Sequence, residues 1–236
     1  AYSRLGLPGS AEALVRSMSS TSVPPDAFTF NTLAAMYARM GSDGLDRLRQ
    51  VVQHDMPRAG VEPDVVTYNT LMGACAAWAG EAAARAVMRD MMQAGVRPNA
   101  RTFHCLLELY SRQEPPRVDM AQRIKETMRS AGVPLDRYLH QTLLSLKRQS
   151  LTRVASEWRD MRSGGVQPNS IGFAVALGCC RHTQPPREEA SQLLREVLRD
   201  LTPEHLTERV LGSAVGAAAT HLDRQEACAA GGGLLR

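Results

Sequence analysis

The sequence predicts an all-α chain, a solenoid of helix-turn-helix repeats, on three observations. Met-x-x-Ala/Gly-Gly-Val recurs from Met56, Met91, Met128 and Met161, with a weaker copy from Met18 to Val23, and successive Met residues lie 38, 35, 37 and 33 positions apart. Pro and a closing Asp or Asn follow each copy: Pro25-Asp26, Pro63-Asp64, Pro98-Asn99, Pro168-Asn169 and, with the Pro displaced to Pro134, Leu135-Asp136. Between these marks, apolar residues recur at helical spacing. A period of about 20 to 50 residues marks a stacked array, because one helix pair cannot bury its apolar face alone.

Taken in order, residues 1–26 read as the second helix of a truncated leading repeat, Gly9 to Met18. In 27–64, Phe30, Leu33, Tyr37 and Met40 line a first helix, and Leu45, Leu48, Val51, Val52 and Met56 a second. The cleanest unit is 65–99. There Tyr68, Leu71, Met72 and Cys75 form the stripe of a helix over about 66–77, and Trp78-Ala79-Gly80 turns the chain. Ala83, Ala86, Val87 and Met91 repeat the stripe over about 81–94. Gly95 then stands where a helix end takes a left-handed residue, and Pro98 blocks continuation. The template fits again over 100–136, over 137–169 and, in degenerate form, over 170–201.

A ring opens each first helix at a fixed place: Phe30, Tyr68, Phe103, His140 and Phe173. These rings are expected to wedge between neighbouring repeats. Glu114-Pro115-Pro116-Arg117 and Gln184-Pro185-Pro186-Arg187 read as one turn used twice, with Pro at a helix start. In 202–236, Thr202-Pro203-Glu204 reads as the cap and start of a helix carrying Leu206, Val210, Leu211 and Val215. An Ala/Gly-rich tail beyond Leu222 is expected to be mobile.

With 236 residues and 44% hydrophobic content the chain can bury a substantial core, and no apolar run reaches the length of about 18 that suggests a membrane span. Five cysteines, Cys75, Cys105, Cys179, Cys180 and Cys228, form no C-x-x-C pair, which argues against a disulfide framework and a zinc site. His104, His140, His182, His205 and His221 lack metal-ligand spacing and read as surface or groove residues. No metal, cofactor or catalytic residue is expected. The chain opens at Ala1, partway through a repeat, so a targeting segment is removed or lies outside it.

Net charge is +4, unevenly spread: residues 100–169 hold twelve Lys or Arg against seven Asp or Glu, and the remainder sixteen against seventeen. Lys125 and Lys147 are the only lysines. Arg offers a planar fork that holds phosphate at two points, although a GC-rich genome gives the same bias.

Val65-Val66-Thr67-Tyr68-Asn69-Thr70-Leu71-Met72, closed by Gly95-Val96-Arg97-Pro98-Asn99, resembles a pentatricopeptide repeat, and Ala27-Phe28-Thr29-Phe30-Asn31-Thr32-Leu33 matches nearly as closely. The likeness covers about residues 9–201. The tetratricopeptide class is disfavoured, because its W-x-x-L-G-x-x-Y signature is missing. The resemblance implies a right-handed solenoid whose first helices line a groove for single-stranded RNA, one base per repeat.

The residue after the ring and the residue closing the repeat would then touch the base edge: Asn31 with Asp64, Asn69 with Asn99, His104 with Asp136, and Gln141 with Asn169. The first pair resembles the family's uracil reader and the second its pyrimidine reader; the others match no rule. Two residues before the ring, Phe28, Val66, Arg101, Tyr138 and Ile171 would sandwich bases. Late in the first helix Arg39 and Arg112 match a basic residue near phosphate, whereas Ala77, Gln149 and His182 depart from it. A second reading of the closing residues needs no RNA, since Asp and Asn before a helix are common N-caps. Asn31 and Asn69, poor residues for a helix interior, are harder to explain structurally.

The expected function is non-enzymatic binding of single-stranded RNA in an organelle, a mitochondrion with a plastid as the alternative. The RNA would be ribosomal RNA or an organellar transcript, held with protein subunits of a ribosome or other ribonucleoprotein. The alternatives are a protein-binding scaffold and a free transcript-stabilising or translation factor. No membrane partner is expected. The deaminase-like and metallonuclease domains that give some family relatives catalysis have no counterpart after Leu201.

Overall fold

The computed structural model describes residues 8–18, 23–115, 117–182 and 188–222. Among these the regular structure is helical, in two compact units, 1–112 and 113–236. The first unit holds α1 (Pro8–Met18), α2 (Ala27–Arg39), α3 (42–58), α4 (Val65–Trp78), α5 (Gly80–Gln93) and α6 (Ala100–Ser111). Helix α3 is Ser42–Gln50 and Met56–Arg58 joined by a π turn, Val51–Asp55. The second unit holds α7 (Val118–Ser130), α8 (Arg137–Lys147), α9 (Leu151–Ser163), α10 (Ser170–Arg181), α11 (Glu188–Asp200) and α12 (Glu208–His221).

The recurrent Met motif is a helix-ending device. At its first full copy, Gly60 takes φ 72° and Val61 N–H donates to the carbonyl of Met56 at 3.0 Å, six residues closing on one. The same bond joins Val96 to Met91, Val133 to Met128 and Val166 to Met161. Each Met side chain is fully buried, so the motif fixes the turn and anchors it to the core at once. At the opposite end Asp26, Asp64, Asn99, Asp136 and Asn169 each accept a hydrogen bond from a backbone N–H in the first turn of the next helix.

Packing follows the expected repeat logic. In the first unit α2 packs on α4 and α4 on α6, while α3 and α5 pair with α2 and α4. In the second, α8 packs on α10 and α10 on α12, with α9 and α11 behind them. The rings Phe30, Tyr68, Phe103, His140 and Phe173 are all buried, and Trp158 meets the Phe173 ring edge-on at 5.3 Å.

Several sequence-based expectations need correction. Met40 is exposed at the end of α2, one residue past the packed stripe, and in α5 Ala84 is buried where Ala83 and Ala86 are half-exposed. The last helix starts at Glu208, because Thr207 caps it and Pro203–His205 forms a separate 3-10 turn. Its buried face is accordingly Val210, Ala214, Ala217 and His221, while Leu211 and Val215 are exposed. The turn 184–187, Pro116 and the tail beyond Leu222 lie outside the described residues.

The surface reading of the histidines fails for three of them, since His104, His140 and His221 are buried. His221 Nε2 is 2.7 Å from the carbonyl of Cys180. His140 occupies the ring position, and its Nδ1 lies 2.6 Å from Glu157 Oε1. Both lysines converge on the same carboxylate: Lys125 Nζ at 2.5 Å and Lys147 Nζ at 2.7 Å from Glu157 Oε2, with Lys125 also 2.6 Å from Asp160. Burial pushes the Glu157 carboxyl up, but the bond from His140 and the charges and bonds of Lys147 and Lys125 outweigh it and hold the group at about 2.

Because that value lies below the ordinary 4.5, Glu157 contributes stability above that pH, and the contribution drains away as pH falls toward about 2. Glu157→Gln leaves two buried ammonium groups undercompensated and should cost about 3–5 kcal/mol near neutral pH. Denaturant unfolding of both proteins across pH should show the gap closing between 4.5 and about 2. A gap that stays constant through that window would show that the carboxylate charge is not what holds α7, α8 and α9 together.

Candidate nucleic-acid interface

The N-caps do more than end the orphaned first turn. Asp64 Oδ1 accepts from Thr67 N at 2.8 Å and from the Thr67 hydroxyl at 2.9 Å, while Asp64 N donates back to that hydroxyl, a reciprocal capping box. The same carboxylate accepts from Asn31 Nδ2 on the preceding first helix, at 3.2 and 3.3 Å to its two oxygens. The Thr67 hydroxyl lies 2.6 Å from Asn31 Oδ1, completing a three-residue bridge between α2 and α4. Burial raises the Asp64 carboxyl, but the bonds from Thr67 and Asn31 prevail and hold it below the usual range.

One repeat on, the arrangement returns. Asn69 Nδ2 donates to Asn99 Oδ1 at 3.1 Å, and Thr102 Oγ1 lies 2.6 Å from Asn69 Oδ1. Asn99 caps α6 through Thr102 N at 3.2 Å. The amides of Asn31 and Asn69 are thus held from both sides, oxygen by hydroxyl and nitrogen by cap, with each orientation fixed by the other.

In the second unit Asn169 Nδ2 donates to Gln141 Oε1 at 2.7 Å while its own oxygen accepts from Gly172 N at 3.0 Å. Here Gly172 stands where Thr67 and Thr102 stand, so the hydroxyl bridge is missing. Asp136 is exposed and caps α8 through Leu139 N at 2.9 Å. His104, in the other unit, is buried in α6, its Nδ1 3.5 Å from the Arg101 guanidinium.

Beside the bridges, the second residue of each first helix projects into solvent. Phe28 is 78% exposed, Val66 53%, Tyr138 51% and Ile171 52%, and Arg101 is exposed as well. Phe28, Val66, Tyr138 and Ile171 are thus large apolar side chains left open at one repeated position. Arg39 is exposed in the last turn of α2. Arg112 is exposed at the end of α6, paired with Glu108 at 2.9 Å.

Thr67 and Thr102 were missed as site residues. Their signal was present in Asp64-Val-Val-Thr67 and Asn99-Ala-Arg-Thr102, the spacing of a capping box, but that the hydroxyl also reaches the previous repeat is a property of the stacking. Also missed was Arg209, the second residue of α12, which continues the series of Phe28, Val66, Arg101, Tyr138 and Ile171.

Residues 51–113 match the family model of the pentatricopeptide repeat domain. No curated protein is significantly similar in sequence. Over 99% of its length the chain matches the crystal structure of the pentatricopeptide repeat protein PPR10 in complex with an 18-nt psaJ RNA element, at TM-score 0.54 and 18% identity. It spans 42% of that protein. Over 76% of its length it matches the PPR domain of Arabidopsis thaliana protein-only RNase P 1 in complex with tRNA, covering 91% of that chain at TM-score 0.59 and 15% identity. Nuclear proteinaceous RNase P 2 of A. thaliana matches 84% of this chain and 44% of its own at TM-score 0.58 and 17% identity. Residues 51–113 thus carry the pentatricopeptide repeat in sequence, and the chain as a whole shares the helix-pair fold of pentatricopeptide repeat structures.

Proposed function

We propose that the protein binds single-stranded RNA along its first helices, with Asn31–Asp64 and Asn69–Asn99 addressing base edges and the exposed second residues covering base faces. The observation that carries this reading is the cross-repeat bridge: an Asn amide oriented by a cap and a Thr hydroxyl, beside an exposed Phe28 or Val66. Asp64 offers only acceptors, and uracil presents an N3–H donor to meet them. Asn99 spends its oxygen on Asn69 and Thr102 and has an amide donor to offer, which fits the N3 acceptor of cytosine. The repeat proteins it resembles in fold include two solved with RNA, PPR10 and RNase P 1.

The charge of 100–169 fits the same partner. Lys125, Lys147, Glu157 and Asp160 neutralise one another within the second unit, so the surplus outside that cluster is carried by arginine alone. Stacking contributes about 1–3 kcal/mol per base, so a few engaged repeats give useful affinity. Two reading pairs, each choosing one base of four, select only about one sequence in sixteen. That looseness favours a subunit that clamps a local segment inside a ribosome or other ribonucleoprotein over a free transcript factor. The organellar setting, a mitochondrion before a plastid, rests on the family resemblance. A binding role is supported by the match to the repeat domain of RNase P 1, 91% of which is covered.

Asn69→Ala should weaken RNA binding more than it lowers stability, because the side chain adds little to helix propensity and its partly exposed bonds to Asn99 and Thr102 are worth about 1 kcal/mol. Thr102→Val keeps the shape, removes the hydroxyl that orients Asn69, and should lower the preference for a pyrimidine at that position while costing about 1 kcal/mol through the lost cap bond. Filter binding beside thermal melting checks both, and unchanged affinity with a clear loss of stability would make these residues structural.

Reversing Arg101 and Arg112 to Glu should flatten the log–log salt dependence of binding by about 0.7 per lost phosphate contact. An unchanged slope would favour a protein occupant of the same face. Native migration with ribosomal subunits, lost on nuclease treatment, would support the ribonucleoprotein setting, and persistence after nuclease would support a protein scaffold.

A further inference from the structure

The second unit contains a 460 Å³ pocket that the reading pairs do not use. Its walls include Arg148 beyond the end of α8, Ala174, Gly178 and His182 on α10, and Arg209 on α12. None of the lining residues is acidic, and among the described residues neither Arg148 nor Arg209 joins an ion pair.

The pocket has a structural cause. Helix α12 lies along α10 in the same direction, since the His205 ring packs on Phe173 at 5.2 Å, Gly216 lies against Arg181, and His221 reaches the Cys180 carbonyl. Thr207 caps α12 as the closing Asp or Asn residues cap the earlier first helices. The pair α10–α12 therefore repeats the geometry of α2–α4 and α4–α6, with Arg209 at the second position. Where Asn31, Asn69 and Gln141 follow their rings, however, Phe173 is followed by Ala174. One helical turn later stands Gly178, whose Cβ would meet nothing within 4 Å. Two small residues at this spacing leave a gap where earlier repeats place a reading amide, and arginines flank it.

We propose that this pocket holds one further nucleotide of the bound strand, anchored through its phosphate by Arg148, Arg209 and His182. Its base rests against Ala174 and Gly178 with its edge unread. The inference deepens the RNA-binding reading above and depends on it. Arginine forks suit a phosphodiester, and a guanidinium plane also covers a base face.

The test uses the whole chain and fluorescein-labelled oligouridylate and oligoadenylate, with anisotropy read across a salt series. Arg148→Ala with Arg209→Ala should lower affinity by about tenfold or more. The same variant should reduce the salt slope by about 1.4, two contacts on a single strand. The fold loss should be the same for both polymers, because the anchor is the phosphate. Gly178→Leu fills the pocket without altering charge and places a better helix former in open space, so it should fold as the wild type while losing affinity with the salt slope retained. Wild-type-like affinity in both variants overturns the pocket while leaving the RNA reading intact, and a loss confined to one polymer overturns the unread base. No binding of either polymer by the wild type overturns the RNA reading and the pocket with it.

Discussion

The organisation of the first unit depends on one shared acceptor. An Asp or Asn before a helix satisfies backbone N–H groups that the helix cannot satisfy itself, a local duty worth about 1 kcal/mol. At Asp64 and Asn99 the same oxygen also fixes the amide of an Asn on the preceding first helix, 33 and 30 residues earlier in the chain. Helix capping and the orientation of that amide therefore share one hydrogen-bond centre. The amide that would meet a base cannot lose its orientation unless the next helix frays, and the cap cannot leave without freeing the amide.

The second unit solves its packing differently. Where the first unit buries Phe30, Tyr68 and Phe103, α8 presents His140, and a polar ring in a core requires a partner. Glu157 supplies it, but a buried carboxylate needs cations, and Lys125 and Lys147 come in from α7 and α8 to share one oxygen. Such a cluster adds little net stability over an apolar core but carries a large penalty for any member lost.

Much of this was legible in sequence, because the repeat writes the same constraint several times. Helix boundaries in 65–99 emerged within a residue or two from the apolar stripe, and Gly95 announced its left-handed turn. The pairing of Asn31 with Asp64 and of Asn69 with Asn99 was also readable, through the family's pattern. What was hidden depends on which faces meet. Nothing local distinguishes a buried Glu157 from any exposed helical Glu, so His140 and the lysines could not be assigned to it. Likewise Thr202-Pro203 mimics a helix start as well as Thr207 does, and only packing on α10 decides which cap is used.

The π turn in α3 bears on how such an array tolerates change. From its ring residue to the next the first full repeat is three residues longer than the second, and the whole excess lies in the second helix, which spans 42–58 where α5 spans Gly80–Gln93. The widened turn lets Met56 close on Val51 and still reach the core. The closing segments 59–64, 94–99, 131–136 and 164–169 all keep the same length. In this repeat the extra length is taken up in the rear helix, whereas in the third it lies between Ser111 and Val118, and in both the four-residue spacing from cap to ring is kept. Extra residues can therefore be housed behind the first helix without moving the residue that follows the ring relative to the cap that precedes it.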